Sequence, residues 1–554
     1  MNLKIAIALL TLTCIACNGE QGEKKASQES PKMDAAEATE SAVEVPAESS
    51  IPVPSDTAET VSETAPVQEV SLPDTSYPSV KALEYVVDIS DKKTSGKIES
   101  FEDVYAKAPG IFTFRGGHKR NTPHEGKITG TPSKITVAWT FTTAFDSEPT
   151  KLGTWGGGSG WTGQPVYVNW PDSIYEKFKK EAVGLTSNFS KEEIMVGSLS
   201  SNVYFIDFQT GKASRKEVDV RNPIKGSISL DPSLNGNLYF GQGVPKNDTV
   251  PFGAGVINLY KNKITSFFNR DRNAWRGWGA YDSSPIVVGD FLIRPGENGT
   301  VYKFTRKQGE LSLHSSMKYR VKKKKAPGIE SSIAIYRNYG YFGDNNGNIV
   351  CINLDTMMPV WYYDNHDDTD GSIVVDEENG VPFIYTASEM DKQGDKGISY
   401  FVKLNGLTGE KVWEIQFKCN KAKIAGKSFD GGMYSTPLVG RGDCDSLLIV
   451  PMSIHKPMFS GNLVAINRYT GKVVYEVPLE HYAWSSPVGF YNEENKLFVV
   501  LGDCAGNMYI FEGATGKRLF MQKIGDNFES SPAVAGNSLV VGSRGKVIFK
   551  MNVE

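Results

Sequence analysis

Residues capable of redox, nucleophilic or metal chemistry are few in this 554-residue chain, and they are widely separated. Thiols can form disulfides, bind metals or act as nucleophiles. The six cysteines include no adjacent pair; they are Cys14, Cys17, Cys351, Cys419, Cys444 and Cys504. The six histidines show no metal-ligand spacing. We therefore expect no catalytic residues and no protein-bound metal.

The densest group of acidic residues occupies positions 364–371, with the sequence Asp-Asn-His-Asp-Asp-Thr-Asp-Gly. Calcium prefers oxygen ligands of this kind. The segment lacks the spacing of the EF-hand pattern and its closing Glu, so it is predicted to be a solvated loop. Cys351 lies in a predicted strand as an apolar filler. In an oxidising compartment two of Cys419, Cys444 and Cys504 could pair, with a connectivity that the sequence does not fix.

The N-terminus has the pattern of a secretory signal, with Lys4 ahead of the apolar run 5–12. This run is too short to span a bilayer, which takes ~20 apolar residues. The segment ends in Cys14-Ile15-Ala16-Cys17, which resembles the lipobox of bacterial lipoproteins, although Cys14 stands where Leu is usual. The resemblance implies lipidation at Cys17 and a lipid anchor in the bacterial cell envelope, on the periplasmic side or at the cell surface. The alternative is an ordinary soluble secretory peptide.

Composition divides the chain into four parts: a signal peptide (1–17), an acidic tether (18–78), an N-terminal extension (79–133) and a repeat region (134–554). The tether has 13 acids, 3 bases and no aromatic residue before Tyr77. It cannot bury enough apolar surface to offset the entropy of ordering, so we predict disorder. The whole chain carries −4, which leaves the body mildly basic and gives no indication of nucleic-acid binding.

A repeated pattern fills the body of the chain. Each copy opens with Ser-Ser-Pro or a variant, continues into alternating apolar strands joined by Gly and Asn turns, and ends with Thr-Gly before a last strand. The eight openings are Thr162-Gly163-Gln164-Pro165, Gly226-Ser227-Ile228, Ser283-Ser284-Pro285, Ser331-Ser332-Ile333, Gly371-Ser372-Ile373, Ser435-Thr436-Pro437, Ser485-Ser486-Pro487 and Ser530-Ser531-Pro532. Four short strands at a period of roughly 50 residues indicate a propeller blade.

The eight copies predict an all-β, eight-bladed β-propeller. The last copy stops at Glu554 without a fourth strand, whereas Lys134–Phe141 matches the fourth-strand pattern of Glu410–Ile415. We therefore predict that residues 134–143 complete the eighth blade and close the ring, which removes an exposed sheet edge. Residues 79–133 have no assigned contact and could lie across one face of the ring.

The unit resembles the pyrroloquinoline-quinone-like (PQQ-like) repeat, found in quinoprotein dehydrogenases and in a propeller lipoprotein of the outer-membrane barrel-assembly machine. Phe114-Arg115-Gly116-Gly117 resembles the lead-in frequent before such propellers. Quinoproteins of this fold typically carry an adjacent Cys-Cys disulfide over the cofactor and a calcium ion held by Glu, Asn and Asp. Adjacent cysteines are missing here, so we expect no cofactor, and PQQ with calcium is the disfavoured alternative.

The segment before the first strand of each blade should lie beside the central channel on one face. Aromatic and acidic residues occur in these segments. A circle of such residues around a channel mouth favours docking of a ligand or partner, although several of the aromatic residues could simply pack between blades. They are Trp161, Trp275, Trp278, Tyr281, Asp282, Glu330, Asp370, Asp430, Tyr434, Tyr482, Trp484, Phe528 and Glu529. A basic run, Arg320 and Lys322–Lys325, forms either a solvated loop or a contact for anionic lipid head groups or an acidic partner.

These patterns favour an envelope lipoprotein without enzymatic activity, whose propeller serves as a docking scaffold for another envelope protein, for example in envelope protein assembly. Two alternatives stay open. One is a PQQ-dependent oxidoreductase, and the other is a carbohydrate-binding propeller that stacks sugars on its aromatic residues. Since the same ring supports enzymes, scaffolds and binding proteins, the fold alone does not choose between them.

Overall fold

The structure is a computed structural model, and it describes residues 80–121, 125–150, 153–161, 163–424 and 427–554. The predicted signal peptide, the lipidation site Cys17 and the tether 18–78 lie outside the described residues. Strands dominate the described chain, with one α-helix, α1 (Asp172–Glu181), and two short 3-10 helices (Val80–Ala82 and Gly442–Cys444). None of the helices in the described ranges has the length and apolar character needed to cross a bilayer.

Four strands precede the repeats: β1 (Leu83–Ile89), β2 (Gly110–Ile111), β3 (Gly126–Lys127) and β4 (Ile135–Thr142). Blades 1 and 2 contain β5 (Val166–Asn169), β6 (Glu192–Gly197), β7 (Asn202–Asp207), β8 (Val218–Asp219), β9 (Ser229–Leu230), β10 (Asn237–Gly241), β11 (Gly253–Asn258) and β12 (Lys263–Asn269). Blades 3 and 4 contain β13 (Ile286–Val288), β14 (Phe291–Gly296), β15 (Thr300–Lys307), β16 (Glu310–Val321), β17 (Ala334–Tyr336), β18 (Tyr339–Gly343), β19 (Asn348–Asn353) and β20 (Met358–Asp364).

Blade 5 contains β21 (Val374–Glu378), β22 (Val381–Ala387), β23 (Lys396–Asn405) and β24 (Lys411–Asn420), and a hairpin of β25 (Ala422–Ile424) and β26 (Lys427–Phe429) follows it. Blades 6 and 7 contain β27 (Leu438–Val439), β28 (Leu447–Ser453), β29 (Gly461–Asn467), β30 (Val473–Leu479), β31 (Val488–Tyr491), β32 (Leu497–Gly502), β33 (Asn507–Glu512) and β34 (Arg518–Lys523). Blade 8 contains β35 (Ala533–Ala535), β36 (Ser538–Gly542) and β37 (Val547–Val553), and β4 is its fourth strand.

Each blade is an antiparallel meander whose four strands are neighbours in chain order, apart from the last blade. The inner strands pack between neighbouring blades, and their sequences are nearly continuous apolar runs. Strand β32 is an example, with every residue buried. Outer strands face solvent on one side and are much more exposed, as β34 is. The predicted all-β, eight-bladed propeller is confirmed.

Closure of the ring by the N-terminal strand is also confirmed. Strand β4 pairs antiparallel with β37, from Val547 opposite Thr142 to Val553 opposite Ile135. The indole Nε1 of Trp139 on β4 donates a hydrogen bond to the Phe208 carbonyl of blade 1 at 2.9 Å. The closing strand is therefore bonded to the last blade and to the first, so both ends of the repeat region meet in one sheet.

The Ser-Ser-Pro openings bond neighbouring blades to one another. The backbone N–H of Ser284 donates to the hydroxyl of Ser332 at 2.9 Å, and the N–H of Ser332 donates to the hydroxyl of Ser372 at 2.9 Å. The same bond joins Thr436 to Ser486 at 3.0 Å. A buried backbone N–H is costly without an acceptor. The hydroxyls of Ser332, Ser372 and Ser486 thus provide acceptors for the preceding blades, which accounts for a serine at these openings.

One part of the N-terminal extension joins the outer edge of the ring, and another part enters the channel. Strand β1 pairs with β16 as a fifth, outermost strand of blade 3, whereas β2 pairs with β5, the innermost strand of blade 1. Residues 110–121, here named the plug, then pass along the inner strands of successive blades. The backbone N–H of Leu230 donates to the carbonyl of Phe112. The N–H of Ile335 donates to the carbonyl of His118, and the N–H of Val375 donates to the carbonyl of Lys119. The plug therefore fills part of the channel that the inner strands enclose.

The cysteine pairing that the sequence allowed is absent. Cys419 and Cys444 are buried free thiols, so two of Cys419, Cys444 and Cys504 cannot be joined. Burial raises the pKa of Cys419 to about 12, so its sulfur stays a neutral thiol. Cys351 is a buried free thiol on β19, packed with apolar residues as the sequence predicts.

Candidate functional site: the channel mouth

The floor of the channel mouth is made by two arginines of the plug. Arg115 is 1% exposed and donates to the carbonyls of Pro487 at 2.8 Å and Pro437 at 3.0 Å. Arg120, which is fully buried, donates to the carbonyl of Ile333 at 3.0 Å. Burial lowers the pKa of Arg115 to about 9 and that of Arg120 to about 10. Both guanidinium groups are held by carbonyls from separate blades, so they fasten the plug into the ring.

Four predicted mouth residues form one aromatic cluster: Trp161, Tyr434, Tyr482 and Trp484. The rings of Tyr434 and Trp484 stack with their centroids 4.6 Å apart, and Trp161 meets them edge-on at 6.0 and 6.5 Å. Tyr482 lies 5.6 Å from Trp484. Trp161, Tyr434 and Trp484 are only half-buried. The indole nitrogens of Trp161 and Trp484 are buried and donate no hydrogen bond to any described residue, so it is the partly exposed ring surfaces of the cluster that can contact a partner.

A lysine-centred cluster lies at the start of blades 2, 3 and 4. It consists of Lys225, Asp282, Glu297 and Glu330, all of them buried. The Lys225 ammonium forms an ion pair with Asp282 and lies 3.6 Å from Glu330 and 3.9 Å from Glu297. Trp278 Nε1 donates to Glu297 at 2.9 Å. Burial, together with repulsion from Glu330 and Asp282, holds the pKa of Glu297 well above its usual value, although Lys225 opposes this shift.

A second group, here named the carboxyl cluster, consists of Asp368, Asp370 and Glu389. One oxygen from each residue lies within 4.8 Å of the others. The segment 364–371 was predicted to be a solvated loop, and this is wrong, because Asn365 and Thr369 are 0% exposed, Asp370 5% and Asp368 9%. The loop is buried because it packs beside Glu389, whose N–H donates to the Asp368 carbonyl at 2.7 Å.

Burial and mutual repulsion disfavour the charged form of this cluster. The pKa of Asp370 is well above its usual range because it is buried and because Asp368 and Glu330 are close. The pKa values of Asp368 and Glu389 are raised too, chiefly by burial. Glu389 also bonds to the Tyr434 hydroxyl, which joins the carboxyl cluster to the aromatic cluster.

The remaining predicted mouth residues lie elsewhere or are used in packing. Tyr281 and Phe528 are buried in the core between blades. Trp275 is 37% exposed and stacks on Arg320, the first residue of the basic run, at 5.0 Å. Asp430 forms an ion pair with Lys421 at 2.7 Å, and Glu529 forms one with Arg544 at 3.5 Å. The mouth therefore brings together eight of the thirteen predicted residues.

Sequence reasoning missed Lys225, Glu297 and Glu389, and it assigned Asp368 to a solvated loop. Glu297 directly follows Gly296, the last residue of the second strand of blade 3, and Glu389 follows the second strand of blade 5 by two residues. In each blade the second strand runs antiparallel to the first. Its C-terminal end therefore lies at the same face of the ring as the beginning of the first strand, which is the face of the channel mouth. The residue after each second strand was therefore a signal that could have identified both glutamates.

The residues at the mouth do not fit a quinone of the PQQ type. Such a cofactor is a planar tricarboxylate, whereas the mouth presents six carboxyl groups and one lysine across its two clusters. Carboxyl groups offer no positive charge to such a cofactor, and the Lys225 ammonium already forms an ion pair with Asp282. Cys351 and Cys419, which could cover a cofactor only as a disulfide, are buried free thiols in two different apolar cores.

Comparison with known proteins shows which folds this chain resembles. The family model described as outer membrane protein assembly factor BamB matches residues 459–554. Quinohemoprotein alcohol dehydrogenase ADHIIG from Pseudomonas putida HK5 superposes with a TM-score of 0.56 at 12% identity, over 81% of each chain. The quinohemoprotein alcohol dehydrogenase from Comamonas testosteroni gives 0.55 at 14% identity, over 81% of this chain and 82% of that chain. BamB from Moraxella catarrhalis gives 0.47 at 13% identity, over 76% of this chain and 100% of that chain.

No curated protein sequence matches the chain. At identities of 12–14% the similarity to solved structures concerns the fold alone. The eight blades, the repeated openings and the BamB match agree with one another. The chain is an eight-bladed β-propeller of PQQ-like repeats.

Proposed function

We propose that this protein is a lipid-anchored scaffold of the bacterial cell envelope, whose channel mouth docks a segment of another envelope protein during envelope protein assembly. The observation that carries the proposal is the half-buried aromatic cluster of Trp161, Tyr434, Tyr482 and Trp484. Aromatic residues grouped at the centre of a concave surface are typical of binding hot spots. The family match to an envelope assembly factor supports the same role.

The chemistry of the mouth describes the partner segment. Trp161, Tyr434 and Trp484 offer partly exposed aromatic ring surface, which suits an apolar side chain of the partner. The carboxyl groups beside them favour a basic side chain. Because the plug occupies the channel below, a docked segment would rest on the mouth and not thread through the ring. We therefore expect a short loop or chain end that carries an apolar residue beside Lys or Arg.

Site-specific photo-crosslinking in intact cells tests the docking. A photoreactive phenylalanine analogue replaces Trp161, and a matched probe replaces Val412, which is 48% exposed on the outer strand of blade 5. We expect a discrete protein adduct from the probe at Trp161 and none from the probe at Val412. The same adducts from both probes, or no adduct from a folded protein at the mouth, would contradict docking at this site.

The anchor is tested separately by metabolic labelling with a fatty-acid analogue. Cys17→Ser should abolish the label and release the protein from the membrane fraction, because the thiol that would carry the lipid is gone. Cys14→Ser is the matched control, and it should keep the label. Loss of the label in the Cys14 variant alone, or an unlabelled wild-type protein, would overturn the proposed lipid anchor.

Glycan binding is the second candidate, favoured by the stack of Tyr434 on Trp484, since sugars pack against exposed aromatic faces. Tryptophan fluorescence measured across a panel of envelope glycans tests it, and an unchanged spectrum argues against it. The quinoprotein alternative is tested by dye-linked oxidation of alcohols and sugars after incubation with PQQ and calcium. Robust turnover would contradict the scaffold proposal.

A further inference from the structure

Basic side chains from three separate segments meet at one edge of the ring. The Arg320 guanidinium of β16 lies 5.0 Å from the ring of Trp275, which belongs to the loop before blade 3. Strand β1 pairs with β16, and beyond their last pair the backbone N–H of Lys322 donates to the Ala82 carbonyl at 2.8 Å. We name the three segments, residues 80–88, 270–276 and 318–325, the basic edge.

The basic edge carries a concentrated positive charge. Its three segments contain ten Lys and Arg residues and three acidic residues, a net charge of +7 in a chain whose whole charge is −4. Two of the acids are used in ion pairs, Glu84 with Arg320 and Asp88 with Lys318. Lys322–Lys325 are all exposed, and their ammonium groups form no ion pair with any described residue. Their positive charge is therefore available to an anionic partner.

The basic edge lies on the same face of the ring as the channel mouth. In an antiparallel meander the fourth strand runs in the same direction as the second. Strand β16 therefore ends, at Val321, on the face where β14 ends and where Glu297 joins the lysine-centred cluster. Trp278, two residues beyond Arg276 of the basic edge, donates to that glutamate at 2.9 Å. A surface that contacts the basic edge would thus lie beside the mouth.

We propose that the basic edge binds the anionic lipid head groups of the membrane that holds the protein. Lysine ammonium groups are point charges on long stems without a fixed geometry, and they suit the many phosphates of a fluid bilayer. Trp275 is 37% exposed, and tryptophan is favoured at the boundary between lipid and water. A protein carboxylate is bound best by a bidentate arginine, but Arg320 is already paired with Glu84. A lipid surface therefore fits the basic edge better than an acidic protein does.

The proposal rests on the proposed envelope location and adds an orientation to it. Val80, the first described residue, lies in the basic edge, so the predicted lipid anchor is joined to the propeller at this edge. Attraction between exposed charges is screened beyond about 10 Å at 0.1 M salt, so the basic edge has to approach the head groups directly. Binding there would bring the mouth close to the bilayer. The segment that docks at the mouth would then belong to a membrane-bound partner, at a point near the bilayer surface.

Flotation with lipid vesicles tests the proposal. The full chain with Cys17→Ser is used, so that no lipid is attached and the measured binding belongs to the protein surface. At about 0.1 M salt we expect it to bind vesicles of phosphatidylcholine with about 30% phosphatidylglycerol at least tenfold more tightly than pure phosphatidylcholine vesicles. About 1 M salt should release it, because the screening length falls to about 3 Å. Equal binding to both vesicles, or binding to neither, would overturn the proposal and leave the docking and lipid-label experiments unaffected.

Two quadruple variants distinguish the basic edge from the net charge of the protein. The first combines Lys322→Gln, Lys323→Gln, Lys324→Gln and Lys325→Gln. It should weaken binding to the anionic vesicles at least tenfold, since each lysine near such a surface contributes a factor of roughly five. The matched control changes four exposed lysines in the turns before fourth strands, on the opposite face: Lys212→Gln, Lys261→Gln, Lys472→Gln and Lys517→Gln. It should bind as the parent does, and both should keep the parent Tm. Equal loss of binding in the two variants would contradict the proposal.

Soluble polyglutamate distinguishes a lipid surface from an acidic protein partner. Trp275→Ala leaves the net charge unchanged, and it should weaken binding to the anionic vesicles several-fold because the exposed indole no longer enters the interface. It should leave any binding of polyglutamate unchanged. Binding of polyglutamate that the four substitutions at Lys322–Lys325 abolish, without a preference for anionic vesicles, would identify an acidic protein as the partner and overturn the proposal.

Discussion

The indole ring of Trp139 packs directly on Gly211, so closely that a Cβ atom at Gly211 would lie 2.6 Å from the ring. Trp139 comes from the closing strand β4, and Gly211 lies in the Thr-Gly turn of blade 1. The same contact joins Trp361 to Gly409 and Trp413 to Gly471 between blades within the ring. Strand β4, from the N-terminal side of the repeats, therefore packs its tryptophan on the next blade just as the fourth strands of blades 4 and 5 do.

This contact predicts that Gly211→Ala destabilises the closed ring. Gly211 has φ +69°, a conformation that costs an alanine about 1–2 kcal/mol, and its new methyl group would collide with the indole for about 1–3 kcal/mol more. The control is Gly380→Ala, where φ is +79° but nothing lies within 4 Å of an added Cβ. Urea unfolding should show a clearly larger loss for Gly211. Equal losses would mean that backbone strain alone matters.

A second prediction concerns the hydroxyl bonds between blades. Ser332→Ala removes the acceptor of the buried Ser284 N–H, so we expect a loss of about 1–3 kcal/mol in the free energy of unfolding. The preceding blade provides a matched control in Ser283, a buried serine whose hydroxyl has no partner among the described residues. Ser283→Ala should change stability by less than about 0.5 kcal/mol. Chemical denaturation measures both, and similar losses would refute the role given to the Ser332 hydroxyl.

The closed ring was predictable because its signals are periodic and local. Eight openings with alternating strands set the number of blades, and the match of residues 134–141 to Glu410–Ile415 identified the closing strand. The path of the plug was not predictable, because Phe114-Arg115-Gly116-Gly117 occurs once and its contacts involve residues up to 372 positions away. The burial of Asp368 and Asp370 was missed for a related reason. Glu389, which completes their cluster, comes from a different loop, and a search for local metal spacing does not include it.

The plug is expected to stabilise the propeller through Arg115. Arg115→Met keeps much of the side-chain volume but leaves the buried carbonyls of Pro437 and Pro487 without their donor, at a cost of about 2–4 kcal/mol. Lys119→Ala is the control within the plug, since Lys119 forms a partly exposed ion pair with Glu377 at 2.8 Å. Pairs of this kind contribute at most about 1 kcal/mol. Thermal unfolding compares the two variants, and an Arg115 variant as stable as the Lys119 variant would show that the plug is not fastened by its arginine.

The last prediction concerns acid stability and His455, which lies beside the aromatic cluster and meets Tyr482 edge-on at 4.8 Å. Burial lowers the pKa of His455 from 6.5 to about 4. The unfolded chain takes up a proton near pH 6.5, whereas folded His455 does so only near pH 4, so this residue makes stability fall as the pH drops through that window. The loss attributable to His455 is of the order of 2–3 kcal/mol by pH 4.

His455→Gln removes this titration and should flatten the fall in the free energy of unfolding between pH 6.5 and pH 4. Carboxyl groups with raised pKa, such as that of Glu297, act in the opposite direction in the same window. Their contribution is present in both proteins, so it cancels when the two curves are subtracted. Urea unfolding at a series of pH values gives the difference, and an NMR titration of the imidazole gives the midpoint directly. Parallel curves for wild type and variant, or a midpoint near 6.5, would show that His455 is accessible to protons in the folded ring.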